Sequence, residues 1–235
     1  MLNTMENIKL SFTDPANLMV NNFMDGQATL TYALKAATQA IYTSIEQSTF
    51  NQAIEREELV LPLYISQLEV YLPVYRALER HCQQDEPLHQ IWHEKMIKTS
   101  LLETDLACVQ TEMLNARVQR MTMDFMQFVN QTGKESPLKT LGILYALEKL
   151  SLIHYHLLPH IQNMYNLQTK GVTFYRSYDS NLYQQWYAFK QRLDTVDVSI
   201  LDQPEVITGA IQTFERVEIL LSNLWKLRTL YQEAV

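Results

Sequence analysis

The chain has 235 residues, of which 47% are hydrophobic, and its formal net charge at pH 7 is −7. This length accommodates one large domain or two small ones with a sizeable buried core. The acidic balance and the lack of any basic run in the sequence exclude a dedicated nucleic-acid-binding protein, because phosphate contacts need clustered Lys and Arg.

Turn-forming residues are scarce, with five glycines and seven prolines. Because all-β proteins need many such residues, we predict an all-α protein with long helices. No stretch approaches the roughly 18 apolar residues of a membrane span, and the N-terminus lacks the pattern of a secretory signal. The two cysteines are too few for a disulfide framework, so we expect a cytoplasmic protein. We predict that Cys82 lies at an exposed helix end and that Cys108 is a small core residue.

The chain divides near residue 28. Residues 1–28 contain the turn signals Asp14-Pro15 and Asp25-Gly26 and are predicted to form a partly ordered N-terminal extension. Residues 29–235 contain no linker and are predicted to form one domain of about seven or eight helices. Its first helix covers "LKAATQAIYTSIEQSTF" (34–50), where apolar residues recur every three or four positions around Tyr42.

The middle of the chain carries three further helical patterns, over 55–81, 86–97 and 100–131. Pro73 lies well inside the first of them. Because proline removes a backbone donor and clashes with the preceding turn, we expect a kink or a break near Glu69.

The C-terminal part is predicted to form helices over 136–165, 181–196 and 204–232. The longest of these begins with Ser136 as its N-cap and Pro137 at its first helical position.

Two histidine pairs have a spacing that places both rings on one helix face, His89 with His93 and His156 with His160. A dimetal carboxylate site also needs several acidic residues on facing helices. The candidate carboxylates are Glu69, Glu79, Glu112 and Glu148. The chain lacks HExxH, so surface histidines are the competing interpretation. A non-heme iron site at His156 and His160 is one alternative.

Four stretches resemble the heme oxygenase family. The family's first core helix follows L-K-x-A-T-x-x-x-H-x-x-x-E-x-x-x-F, and this chain matches it from Leu34 to Phe50 with Tyr42 at the histidine position and Glu46 at the acidic one. Further similar segments are "YLPVYRALERH" (71–81), "LGILYALEKLSL" (141–152) and "GVTFYRSY…WYAFKQRL" (171–193). The resemblance covers about residues 30–225 and implies a heme oxygenase-like helical bundle, with heme held between the first helix and a distal helix.

The resemblance also implies residue roles on the first helix and near the C-terminus. The family's histidine binds heme iron, so Tyr42 is the candidate iron ligand, with Glu46 one turn later. Tyrosinate ligates heme iron in catalase, but a phenol with a pKa near 10 is a poor ligand at neutral pH, and a nearby carboxylate disfavours its ionisation. Lys35 and Lys190 match basic residues that contact heme propionates in the family.

The distal segment departs from the family pattern. Lys149, Ile153 and His154 stand where bacterial members have glycine, and Leu150 replaces a small polar or acidic residue. Glycines let the helix backbone lie against heme, so bulky side chains here are expected to crowd the pocket. His154 is an alternative iron ligand on this side.

These observations leave three hypotheses open. We favour a divergent family member that binds heme, another tetrapyrrole or a protein partner without ordinary turnover. The first alternative is an active heme oxygenase that cleaves heme to biliverdin, carbon monoxide and iron with an external electron donor. The second is a non-heme dimetal oxidase of the same fold superfamily. Enzymatic activity is therefore undecided at this point.

Overall fold

The computed structural model describes residues 29–86, 88–109 and 115–232, and these residues form helices with no strand among them. The predicted N-terminal extension, 1–28, lies outside the described residues. The α-helices are α1 (Leu30–Glu46), α2 (Thr49–Glu55), α3 (Leu61–Gln84), α4 (Leu88–Ile91), α5 (Thr99–Cys108), α6 (Ala116–Glu135), α7 (Pro137–Tyr165), α8 (Leu182–Thr195), α9 (Gln203–Lys226) and α10 (Arg228–Gln232). Short 3₁₀ helices cover Glu94–Met96 and Asp179–Asn181. The predicted all-α class is confirmed. None of the described helices is both long and apolar enough to cross a bilayer.

The stretch predicted as one helix over 34–50 is divided between α1 and α2. Helix α1 ends at Glu46, and Ser48 adopts an extended conformation with ψ of 148°. The Ser48 hydroxyl accepts a hydrogen bond of 3.3 Å from the backbone N–H of Asn51 and so caps α2. This local bond offers the backbone an alternative to continuing the first helix.

Of the kink or break predicted near Glu69, the break is absent, because α3 continues from Leu61 to Gln84 with Pro73 inside it; the kink stays a prediction. Proline removes the backbone hydrogen bond that would reach the carbonyl of Glu69 and crowds that carbonyl. Leu68 and Tyr75, on either side of the proline, are both buried in the core. Packing of this apolar face therefore outweighs the lost hydrogen bond.

The predictions over 86–97 and 100–131 are also wrong in detail. Among the described residues of the first region, which leave out residue 87, the helical segments are the single turn α4 and a 3₁₀ turn. The described part of the second region, which leaves out residues 110–114, contains the helices α5 and α6. Asn115 is the N-cap of α6, since its side chain accepts a hydrogen bond of 2.8 Å from the backbone N–H of Arg117. A capping asparagine satisfies the free donors of a new helix start.

The C-terminal helices follow the sequence more closely. Helix α7 begins at Pro137, and the Ser136 hydroxyl accepts a hydrogen bond of 3.0 Å from the N–H of Lys139. Helix α8 agrees with its predicted range. The last predicted helix, 204–232, is divided at Leu227 into α9 and α10.

Helix α9 organises the bundle, since α1 and α7 both pack along it, while α3 packs against α5 and α6. Helices α7 and α9 meet at two glycines. A Cβ built on Gly142 would lie 1.9 Å from the Val206 carbonyl oxygen, and one on Gly209 would lie 2.0 Å from the Lys139 carbonyl oxygen. The two backbones therefore touch directly, which fixes α7 relative to α9 and hence relative to α1.

Both predictions for the cysteines are wrong. Cys82, in the last turn of α3, is fully buried, whereas Cys108, at the end of α5, is exposed. Burial raises the pKa of the Cys82 thiol, and the negative charges of Glu148 and Glu79 add to this effect. The helix face on which each cysteine lies decides its burial, and that face depends on how the helices pack.

Candidate functional site

Tyr42 belongs to α1, and its side chain contacts α7 and α9. Its side chain is only 8% exposed, and its ring packs edge-to-face against Phe214 of α9 with centroids 6.0 Å apart. Lys149 reaches from α7 over this ring, with its Nζ 4.2 Å from the ring centroid. Helices α1 and α7 therefore meet through a cation–π contact between Tyr42 and Lys149.

The Lys149 amine is buried and has no hydrogen-bond partner among the residues that the structure describes. Besides Tyr42, two further aromatic rings neighbour it, since the ring centroids of Tyr145 and Phe214 each lie 5.9 Å from Nζ. Burial, together with the positive charge of Lys35, lowers the pKa of Lys149 to about 8, while Glu46 acts in the opposite direction. An appreciable fraction of this amine is therefore neutral at physiological pH.

The two phenols beside this amine favour their protonated form. Burial raises the pKa of Tyr42, and the negative charge of Glu46 raises it further. Burial also raises the pKa of Tyr145 to about 12, although a hydrogen bond with Thr38 acts against the increase. Neither phenol is ionised at neutral pH, so the site presents O–H groups rather than phenolates.

The solvent-exposed surroundings of Lys149 and Tyr42 carry charged and aromatic groups. Lys35 and Glu46 are exposed on α1. Tyr183 of α8 is 71% exposed and, after burial and Glu46, is among the neighbours that raise the pKa of Tyr42. Lys190 lies 5.8 Å from the centroid of the half-buried Trp186 ring. Lys35 therefore lies close enough to act on the buried amine, and Lys190 packs on Trp186, whose ring centroid lies 5.6 Å from that of Tyr145.

His154 belongs to a different group of side chains. It is buried, and its ring centroid lies 4.7 Å from that of Tyr175 and 4.9 Å from that of Phe174. Burial, with a smaller effect of Lys98, lowers the pKa of His154 to about 3, so its imidazole is neutral. The structure therefore places Lys149 against Tyr42 and His154 in a separate aromatic group, while Ile153 is buried in the core.

The histidines proposed as metal ligands lie near the surface. His156 is exposed with its Nε2 3.8 Å from Oε1 of Glu55, and Nδ1 of His160 lies 3.7 Å from Oε1 of Glu57. The candidate carboxylates Glu79 and Glu148 contact Lys98 instead. Within the described ranges, no group of three or more His, Cys, Asp or Glu side chains is arranged to hold a metal ion.

A buried ion pair joins α7 to the start of α5. Nζ of the fully buried Lys98 lies 3.1 Å from Oε1 of Glu148 and 3.0 Å from the hydroxyl of Tyr178, which donates to Oε2 of Glu148 over 2.5 Å. Glu79 accepts the backbone N–H groups of Lys98 and Thr99 over 2.6 and 3.0 Å and so caps α5. The sequence patterns do not predict this cluster. The sequence feature that indicates it is Lys98, which stands at the N-cap position of α5, where Ser, Thr, Asp or Asn is usual.

An open cleft of about 510 Å³ lies elsewhere, between the turn that joins α1 to α2 and the end of α9. Ser44, whose hydroxyl bonds Glu218, lines it together with Ser222, Asn223 and Trp225. None of the site residues predicted from the sequence lines this cleft.

Solved structures share this arrangement of helices. A TM-score of 0.75 relates the chain to heme oxygenase from Leptospira interrogans at 18% identity, covering 83% of this chain and 100% of that one. Heme oxygenase-1 from Synechocystis sp. PCC6803 in complex with heme gives 0.74 at 16% identity, covering 88% and 100%. A TenA homologue from P. horikoshii gives 0.57 at 13% identity, covering 85% and 99%. Identities this low establish the fold alone.

The fold is therefore that of the heme oxygenase-like class of all-α proteins. The heme oxygenase family model matches residues 28–222 of the sequence. The chain belongs to the heme oxygenase family. Among curated proteins, no sequence matches the chain significantly.

Proposed function

We propose that this protein is a divergent heme oxygenase that binds an organic ligand between α1 and α7 without ordinary heme turnover. The observation that carries the proposal is the position of Lys149, whose Nζ lies 4.2 Å from the centroid of the Tyr42 ring. By the family resemblance, heme lies between the first helix and the distal helix. A side chain in contact with Tyr42 occupies the space that an iron-ligated heme would need.

The candidate iron ligand supports the same proposal. Heme iron binds tyrosine as tyrosinate, which requires a phenol that ionises readily. Burial and Glu46 instead raise the pKa of Tyr42, and Lys149 contacts the ring face rather than forming a hydrogen bond to the phenol. The residues present therefore do not fit heme bound through iron to Tyr42.

We infer that the ligand is a planar, conjugated organic molecule, tetrapyrroles included, that binds through its periphery and leaves the Lys149 side chain in place. The buried amine and the two protonated phenols can donate hydrogen bonds to carbonyl or carboxylate oxygens. At the solvent side, Lys35 and Lys190 supply positive charge, and Tyr183 and Trp186 supply aromatic surface. Small-molecule sites commonly combine an apolar lining with a few such polar groups.

Titration of the purified protein with hemin tests this proposal. We expect that Tyr42→Phe leaves the Soret spectrum of the wild type with hemin unchanged, and that adding a reductant yields no biliverdin. We expect the double variant Tyr42→His with Lys149→Gly to acquire a tight stoichiometric complex, because it regains both an imidazole ligand and space beside it. A wild-type complex that degrades to biliverdin under reductant would contradict the proposal.

Membership of the family favours one competing function, oxidative cleavage of heme with an external electron donor. The same titration decides between the two, since turnover by the wild type requires iron-bound heme and gives biliverdin. Iron analysis addresses the non-heme alternative. Stoichiometric iron lost in His156→Ala and His160→Ala would support that alternative over our proposal.

A further inference from the structure

The Lys149 amine is an unusual group to bury without a partner. A buried amine without a hydrogen-bond acceptor costs stability, because water no longer solvates it. The groups facing it are Tyr42, Lys35 and Glu46 from α1, Tyr145 from its own helix, and Phe214 from α9. Only Glu46 among these carries negative charge, and it is exposed to solvent without bonding the amine.

We infer that Lys149 is a nucleophilic amine that forms an imine with a ligand bearing an aldehyde or ketone, entering between α1 and α7. Lysines are activated as nucleophiles by an apolar surrounding or by a neighbouring cation. The aromatic rings of Tyr42 and Phe214 provide the first condition and Lys35 the second. This inference rests on the proposed function, since heme ligated to Tyr42 would displace the Lys149 side chain.

The reaction needs no oxidant or reductant. The lone pair of neutral Nζ attacks the carbonyl carbon, forming a C–N bond and moving the carbonyl π electrons onto oxygen. The oxygen takes a proton from a neighbouring phenol, for which Tyr42 and Tyr145 are suited because both stay protonated at neutral pH. Nζ then loses a proton, which restores the phenol. Loss of water breaks the C–O bond and leaves a C=N double bond, so one amine and one carbonyl give one imine and one water.

The competing interpretation is a structural ammonium that only packs on aromatic rings. Such a group would stay charged and would not react. The lowered pKa of Lys149, about 8, agrees with a reactive amine, since it leaves neutral Nζ available near neutral pH. Its reaction with a carbonyl should therefore increase through pH 8, well below the range where surface lysines become reactive.

Reductive trapping tests the inference on the unmodified full chain. The protein is incubated with 4-hydroxybenzaldehyde and sodium cyanoborohydride, and labelled lysines are located by peptide mass spectrometry. At about pH 7.5 we expect Lys149 to be labelled about tenfold faster than the exposed Lys134, because an ordinary lysine is almost wholly protonated there. Labelling of Lys149 no faster than that of Lys134 overturns the inference.

Two matched variants and a competition experiment with hemin complete the test. Lys149→Arg keeps the positive charge and should abolish the rapid labelling at position 149. Lys134→Arg should leave the rapid labelling of Lys149 unchanged. If Lys149 is unlabelled and hemin forms no iron-ligated complex, the imine inference falls and the proposed function stands. If hemin forms a complex that loses its spectrum in Tyr42→Phe and protects Lys149 from the aldehyde, both fall.

Discussion

Two buried lysines, Lys98 and Lys149, accommodate their positive charge differently. Lys98 has a carboxylate, a hydroxyl and a backbone carbonyl within hydrogen-bond distance of Nζ. Lys149 has aromatic rings and no acceptor among the described residues. A fully satisfied buried ion pair holds elements together, whereas an unpaired amine is available for chemistry. This contrast separates the structural lysine from the candidate functional one.

At this residue scale, Glu148→Gln should lower the free energy of unfolding by about 3 kcal/mol, since it leaves the charge of Lys98 buried and unpaired. Urea denaturation measures the change, and Lys98→Met combined with Glu148→Gln should recover part of it. Arg76→Gln is the matched control. It breaks the exposed pair with Glu103, whose side chains are 50% and 52% exposed, and should cost less than about 1 kcal/mol. Equal losses in Glu148→Gln and Arg76→Gln would show that the buried pair contributes no more than a surface one.

The contact between α7 and α9 determines where the site residues meet. Gly142 and Lys149 are seven residues apart on α7, which is close to two helical turns, so both face α9 and the Tyr42 side. Helix α1 packs on the same α9. The close approach at Gly142 and Gly209 therefore sets the distance from Lys149 to Tyr42.

At the scale of the element, Gly142→Ala should destabilise the protein by about 1–3 kcal/mol, because its Cβ would meet the Val206 carbonyl oxygen and force the helices apart. Thermal unfolding measures this effect. His156→Ala, on the exposed side of the same helix, should change stability by less than about 0.5 kcal/mol. An unchanged melting temperature for Gly142→Ala would mean that the helices can separate at little cost.

At the scale of the whole molecule, the buried side chains of α1 to α9 form a single hydrophobic core. The three tryptophans pack against that core from separate places: Trp92 after α4, Trp186 in α8 and Trp225 in α9. A shared core links the stability of distant helices, so they should unfold together.

Unfolding in urea should therefore follow the same curve by far-UV circular dichroism and by tryptophan fluorescence. The Gly142→Ala variant provides the comparison, since it should shift both curves equally. Two separated transitions would instead indicate that residues 29–235 contain more than one folding unit.

Local features of the sequence predicted much of the fold. The scarcity of glycine and proline predicted the all-α class, and Ser136 with Pro137 predicted the start of α7. Caps and helical periodicity act within a few residues, so they can be recognised without knowing the neighbouring helices. The same local information failed at Ser48 and Asn115, where a short side chain starts a new helix inside an apolar pattern.

By itself, the sequence determined the helical class and the resemblance to heme oxygenases, and it predicted Tyr42 at the position of the iron ligand. Only the tertiary structure decided that Lys149 lies over Tyr42, that His154 faces other aromatic residues, and that Lys98 pairs with Glu148. These contacts join residues far apart in the chain. They depend on how α7 packs with α1, with the start of α5 and with the segment that follows α7, and no local spacing encodes that packing.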